Sequence, residues 1–248
     1  MIVNGKSTDS EHLTDAILLG DGVFETLRSY NGRIYGLERH MERLQSGLLE
    51  IGFRGFEKSK AVEAIAEILE KEPQENGALR ISIYSDGVSV ITHKPYKPNR
   101  EAISCLTYSQ EFEQKLYKSA SYSDRMRLRR IAQARGFDDV IVLDRKGLIS
   151  ELSTSNLILL LDGNWMTPSL EGGGLPGVTR AFLIENFGVQ QAPLSMADIE
   201  GASAAGAVSS LREVQEIKSI DGKDFKSSNQ LRELQESFSS WVLGNLLS

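Results

Sequence analysis

The sequence predicts an α/β (α+β) protein of two domains built on mixed β-sheets. Three observations lead to that class. β-rich runs alternate with apolar helical repeats along the chain, a proline pair followed by a polar run interrupts them near the middle, and a glycine-rich segment then opens an apolar helix. With 248 residues the chain can bury a substantial core, as one large domain or two compact ones.

Residues 1–35 read as short strands and turns, "MIVNG" and then "LLGDGVFETLRSYNGRIY", in which Asn31-Gly32 is a hairpin signal. From Leu37 the pattern becomes helical. Leu37, Met41, Leu44 and Leu48 lie at offsets 0, 4, 7 and 11 and form one buried stripe. Arg39 and Arg43, four apart, share a neighbouring face, where they are either solvated or turned toward an anion. A second helix is expected over 58–70, with Val62, Ile65, Ala66 and Leu69 on its core face. "ALRISIYSDGVSVIT" follows as two strands joined around Ser85-Asp86-Gly87. Pro95 and Pro98 interrupt the next segment before "EAISCLTY" resumes β character. The polar run "SQEFEQK" marks the expected linker, so the sequence divides into a small domain at 1–105, a linker at 106–114 and a large domain at 115–248.

Tyr122 to Arg135 reads as a helix stopped by Gly136. "DDVIVLD" and "NLILLL" are strands, with turns at Asp144-Arg145-Lys146-Gly147 and Asp162-Gly163-Asn164. Ser195 followed by Asp198 has the spacing of a helix N-terminal cap. Near the end Leu231, Leu234, Phe238 and Trp241 occupy offsets 0, 3, 7 and 10, a stripe for core or subunit packing.

Composition limits the chemistry. The 28 Lys plus Arg against 34 Asp plus Glu give a net charge of −6, which argues against a nonspecific nucleic-acid binder. A single cysteine, Cys105, rules out an internal disulfide and a four-cysteine zinc site. His12, His40 and His93 are scattered without metal-ligand spacing, so no metal is expected, and His40 reads as a packed or hydrogen-bonding helix residue. The nucleophile context Gly-x-Ser-x-Gly is absent. No run of 18 apolar residues occurs and the first residues do not resemble a secretory signal, so a cytoplasmic protein without a membrane partner is expected.

Gly172, Gly173 and Gly174, then Gly177 before Thr179, could present backbone amides to a phosphate or could form an ordinary turn. Neither the nucleotide-binding lysine motif nor the dinucleotide Gly-x-Gly-x-x-Gly motif is present. Taken singly, Lys118 and Glu151 are ordinary surface charges.

Their joint arrangement changes that reading. "GDGVFETLR" from Gly20, "LERHMERL" from Leu37, "GFDDVIVLD" from Gly136, "ELSTSNL" from Glu151 and "LPGVTR" from Leu175 stand in order over nearly all of residues 1–220. Through these segments the chain resembles the fold type IV pyridoxal-phosphate enzymes, which include branched-chain aminotransferases, D-amino-acid aminotransferases and 4-amino-4-deoxychorismate lyases. The resemblance implies two α/β domains enclosing pyridoxal 5'-phosphate, in a homodimer.

It also implies roles. Lys118, at the family's distance before "GFDD", becomes the Schiff-base lysine, with Lys115 its local competitor. Glu151 becomes the carboxylate at the cofactor's ring nitrogen. Arg43, rather than Arg39, matches the phosphate-binding arginine, assisted by Gly177, Val178 and Thr179 at a helix start. Ser155 and Asn156 are near-cofactor contacts. The pattern departs at Ser121, where an asparagine is common in the resembling enzymes. "AVSSLREV", from Ala207, is more similar to the lyase text than to the Gly-Thr-Ala text of branched-chain aminotransferases, and makes Ser210, Leu211 and Arg212 substrate-pocket candidates. The resemblance therefore implies a 4-amino-4-deoxychorismate lyase that makes 4-aminobenzoate and pyruvate in folate biosynthesis. The alternatives are a branched-chain or D-amino-acid aminotransferase and a noncatalytic metabolite-binding homologue.

Overall fold

The computed structural model describes residues 2–3, 6–7, 13–110 and 116–246. The first elements are a short antiparallel pair, β1 (Ile2–Val3) and β2 (Lys6–Ser7), and a five-residue helix, α1 (Asp15–Leu19). The expectation of only strands and turns over 1–35 misses this helix. Its ends are local: Thr14 Oγ1 accepts from the Ile17 amide at 3.4 Å, and Gly20 closes it at φ 66°. With Leu18 and Leu19 exposed it has no apolar stripe to read.

β3 (Gly22–Tyr30) and β4 (Arg33–Ile34) form a hairpin across Asn31 and Gly32, both at positive φ, as a two-residue turn requires. After α2 (Leu37–Glu50) and α3 (Lys58–Lys71), β5 (Asn76–Tyr84) and β6 (Ser89–Pro95) complete an antiparallel sheet of order β4-β3-β5-β6. Met41, Leu44 and Leu48 of α2 and Ile65 of α3 pack on Val23, Leu27, Leu79 and Ile81 of the sheet. On α3, Ala66 is exposed and Ile68 joins Val62 and Leu69 against the core. The helix is rotated slightly from the expected face because Ile68 has more apolar surface to bury than Ala66.

The second sheet has nine strands. β7 (Ile103–Ser109) is parallel to β8 (Asp139–Leu143), which turns into β9 (Ile149–Leu152); α4 (Ser123–Ala134) precedes β8. β10 (Asn156–Leu161) and β11 (Asn164–Pro168) form a hairpin over Asp162-Gly163. α5 (Val178–Asn186), β12 (Gln190–Ala192), α6 (Met196–Gly201), β13 (Ala204–Ser209), β14 (Glu213–Ile220), β15 (Lys223–Asp224) and α7 (Asn229–Gly244) follow. The sheet order is β12-β11-β10-β13-β14-β7-β8-β9, with β15 on β14.

The strand β7 corrects the expected linker. Residues 106–109 lie in the middle of the large sheet between β14 and β8, and residues 111–114, like Lys115, fall outside the described residues. The chain leaves the small sheet at Pro95 and enters the large one at Ile103. Pro98 lies between them, and a residue without an N–H interrupts a ladder more decisively than a polar run does. The Ser195–Asp198 capping box is present at α6. Leu231, Leu234 and Phe238 of α7 are buried with Tyr35 from the small unit, and Trp241 stacks on Phe238 at 5.8 Å. The closing stripe is core.

Candidate functional site

A cavity of about 250 Å³ lies between Arg43 of α2, the Lys118 segment, the first turns of α4 and α5, and strands β9, β10 and β13 of the large sheet. Lys118 reaches it from a segment stitched to β3: the Phe24 amide donates to the Lys118 carbonyl at 2.9 Å, and the Ala120 amide to the Gly22 carbonyl at 2.8 Å. The Lys118 ammonium stands 5.5 Å from the centroid of the Phe24 ring. Burial lowers its pKa to about 8, with Arg43 and Arg125 adding to the effect and Glu25 and Glu151 opposing it. An amine so placed is partly neutral at physiological pH and nucleophilic.

Glu151, on β9, is buried at one wall. Its Oε1 is 2.6 Å from Arg125 Nη1, and its Oε2 accepts from Asn156 Nδ2 at 3.2 Å. Asn156 Nδ2 also donates to the Leu175 carbonyl at 2.9 Å, tying β10 to the glycine-rich segment. The turn between β9 and β10 is held from three sides. Tyr122 donates to the Ser153 carbonyl at 2.8 Å, the Ser153 hydroxyl donates to Asp139, and Arg212 Nη2 grips the second Asp139 oxygen at 2.8 Å.

The opposite wall is built to receive an anion. Arg43 clasps Glu25 of β3 with Nε at 2.7 Å and Nη2 at 2.8 Å, and donates from Nη1 to the Pro176 carbonyl at 2.6 Å. Three of the five guanidinium donors are used in this way, and two remain for the cavity. Gly177 caps α5, so the amides of the first turn and the helix dipole face the same space. Thr179 Oγ1 lies 2.9 Å from the Tyr35 hydroxyl.

Behind Arg43, His40 Nδ1 is 2.8 Å from Glu25 and His40 Nε2 is 3.0 Å from Ser210 Oγ. Burial alone would raise the Glu25 pKa, but Arg43 and His40 together hold it far below its ordinary value. Burial lowers that of His40. An ionised carboxylate only accepts, so Nδ1 carries the imidazole proton and Nε2 accepts from the Ser210 hydroxyl.

Arg43, Lys118, Glu151, Ser155 and Asn156 all line this cavity. Gly177, Val178, Thr179 and Ser210 do so too. Leu211 and Arg212 do not. They line an adjoining cavity of about 490 Å³ that shares Lys118, Tyr122 and Ser210 with the first. Arg212 is already bound to Asp139 and, through Nη1, to Gln215 at 2.9 Å. Arg80, Lys97 and Arg129 add positive charge to this second space, where Asp138 is the one carboxylate in the lining among the described residues. Arg39 instead pairs with Glu185 at the surface, which leaves Arg43 as the α2 arginine at the cavity.

Sequence reasoning missed Glu25, Tyr35, Tyr122 and Arg125. A carboxylate among the apolar residues of β3 was a readable signal for Glu25, whereas nothing local distinguishes Arg125 from the other arginines of α4. Two further observations test whether the residues suit pyridoxal phosphate. Ser155 Oγ is buried without a hydrogen-bond partner among the described residues. A Cβ on Gly177 would stand 1.9 Å from Asn156 Oδ1, so the backbone there must stay bare beside the anion end. With a lysine between an anion cradle and a buried carboxylate, the donor set fits a phosphorylated pyridine aldehyde.

A model of the amino-transferase class IV family matches residues 22–220. A proposed branched-chain-amino-acid aminotransferase of Methanocaldococcus jannaschii is 23% identical over 229 residues, covering 79% of each chain. A crystal structure of a proposed 4-amino-4-deoxychorismate lyase from Legionella pneumophila superposes with a TM-score of 0.84 at 23% identity, covering 96% of this chain and 98% of that one. A hypothetical aminotransferase from Mycobacterium tuberculosis in its pyridoxal-phosphate-bound form superposes at 0.85 and 21% identity, covering 98% and 96%.

Proposed function

The chain belongs to the amino-transferase class IV family, with the fold type IV architecture, and from that premise we propose that it transfers the amino group of an amino acid to a 2-ketoacid. Its cofactor is pyridoxal phosphate. The observation that carries the reading is Lys118, lowered to about 8, lying between the Arg43 and α5 anion cradle and the Glu151 wall. The curated relatives support the transfer reading, since the first eight are all named for branched-chain-amino-acid transamination.

When bound, the cofactor supplies an aldehyde that takes up amines and a ring that withdraws the electron pair released at the α-carbon. The chain's residues do the rest. Arg43, the amides of Val178 and Thr179 and the Thr179 hydroxyl bind the phosphate. Asn156 holds Glu151 at the pyridine end, and Ser155 offers its unpaired hydroxyl. The Lys118 amine removes the proton at the α-carbon and returns it elsewhere. Arg80, Lys97 and Arg129 in the adjoining cavity favour carboxylate-bearing substrates. A cytoplasmic homodimer, with a small domain ahead of the large cofactor-binding one, completes the reading.

A second reading rests on the Ser209–Arg212 hairpin, which reaches both cavities and carries the lyase-like segment. In it the same lysine serves elimination from 4-amino-4-deoxychorismate, and no ketoacid is needed. One experiment separates the two. Cofactor-loaded protein and its Lys118→Ala variant are given a panel of amino acids with a ketoacid acceptor, and separately 4-amino-4-deoxychorismate alone. Lysine-dependent, acceptor-dependent amino transfer is the expected result. 4-Aminobenzoate release without an acceptor, together with no transfer, would overturn it in favour of the lyase.

A further inference from the structure

One face of α4 runs from the principal cavity into the adjoining one. Tyr122, at the N-cap, lines both, Arg125 lines the first, and Met126, Arg129 and Gln133 line the second. These residues recur at three- and four-residue steps, the spacing of a single helix face. At 1.5 Å per residue Arg129 stands about 10 Å along the axis from Tyr122. A long helical side chain leans back over the preceding turn, which shortens that distance.

Arg129 is a charge without a match. Its Nε is buried with no hydrogen-bond partner, and no carboxylate among the described residues is in ion-pair contact with it. Asp138, in the same lining, is engaged by the Ser104 amide and hydroxyl at 2.8 and 2.9 Å. Its neighbours in the lining are occupied. Arg212 holds Asp139, and Arg80 lies 3.7 Å over the Phe24 ring with Nε on Ser82 Oγ at 3.3 Å. A partly buried guanidinium is unfavourable until an anion reaches it. A carboxylate brings two acceptor oxygens to the guanidinium fork, whereas a branched apolar side chain brings none.

We propose that Arg129 is a specificity-determining residue, and that the amino acid taken by this site carries a second carboxylate, held by Arg129 while the α-carbon stands at Lys118. The inference rests on the amino-transfer reading above. It narrows that reading, because the curated relatives are named for branched-chain substrates.

The test reads binding apart from turnover. Cofactor-loaded protein is titrated by calorimetry with glutarate and with pentanoate, which share a five-carbon chain and differ in the second carboxylate. Glutarate is expected to bind about tenfold more tightly or better, and in Arg129→Gln the ratio is expected to fall below about threefold. A native ratio near one overturns the proposal without recourse to any variant, and so does a ratio that Arg129→Gln leaves unchanged. Circular dichroism checks that the variant is folded. Both enantiomers of glutamate and norleucine are then offered with a ketoacid acceptor. Amino transfer without a preference for glutarate defeats the carboxylate site and leaves the amino-transfer reading standing. A glutarate preference without transfer from any donor does the reverse.

Discussion

Arg43 and Glu25 meet across the small unit as a two-point ion pair, Nε to Oε1 at 2.7 Å and Nη2 to Oε2 at 2.8 Å, with the carboxylate fully buried. The pair fixes the α2 arginine that faces the cavity, because the guanidinium plane can no longer rotate. It also sets the tautomer of His40 and, through it, the direction of the Ser210 hydroxyl.

Glu25→Gln is therefore expected to lower folding stability by about 3–5 kcal/mol, since it leaves the Arg43 side chain, 9% exposed, without its counter-charge. Pyridoxal phosphate binding should weaken as well. Urea denaturation and cofactor titration read both effects, and an unchanged midpoint would remove the pair from the account. The pH dependence has a definite sign. The Glu25 pKa is depressed from 4.5, so the stabilisation is complete above that value and is lost as pH falls below it. The native protein should lose more stability than the variant on acidification.

Lys118 gives a kinetic prediction. With its pKa at about 8, capture of pyridoxal phosphate by apoprotein should accelerate with pH and level off above 8. At pH 6 the neutral amine is roughly one part in a hundred, so capture should be roughly a hundredfold slower than on the plateau. Stopped-flow absorbance follows the rate directly. A profile flat from pH 6 to 9 would contradict the environment described for this amine.

Gly177→Ala places a methyl group against Asn156 Oδ1. Asn156 must then swing away, releasing both Glu151 and the Leu175 carbonyl. Cofactor affinity should fall about tenfold or more, with stability lowered by about 1–3 kcal/mol. A variant that binds the cofactor as tightly as the native protein would show that the cradle tolerates a side chain.

Arg212→Met tests the substrate role expected from the sequence. Asp139 is fully buried and would lose its charge partner, keeping the Ser153 hydroxyl and a local amide. The expected result is a loss of about 3 kcal/mol or more in stability, with turnover reduced alike for substrates of different charge. A selective rise in KM for acidic substrates at unchanged stability would restore Arg212 as a substrate contact.

Phe238→Ala should cost about 3–5 kcal/mol, because the ring is fully buried and packs edge-on to Tyr35 and Phe187. Tyr35 also meets Thr179 at the cavity, so cofactor binding should weaken in parallel.

The secondary elements were legible wherever a local period or turn chemistry specified them. The α2 stripe, the Asn31-Gly32 and Asp162-Gly163 hairpins, the Ser195 cap and the α7 stripe all stand as read. α1 was not legible, because a five-residue helix with exposed leucines has no periodic signature. β character near β7 was read, but its place in the large sheet was missed, because the polar run after the strand was taken for the domain break that lies before it.

The sequence by itself determined the α/β class, most elements and, through ordered motifs, the residues that line the principal cavity, Lys118, Glu151 and Arg43 among them. Only the tertiary structure decided what those charges do. Arg43 turns to Glu25 from 18 residues away, and Arg212 turns to Asp139 from 73 residues away. Arg125 of α4 pairs with Glu151 of β9. Apolar periodicity records which face of an element is buried, so it survives in linear text. Pairing of buried charges depends on partners brought together by the sheets, and the balance of desolvation and attraction that sets a pKa exists only once they meet.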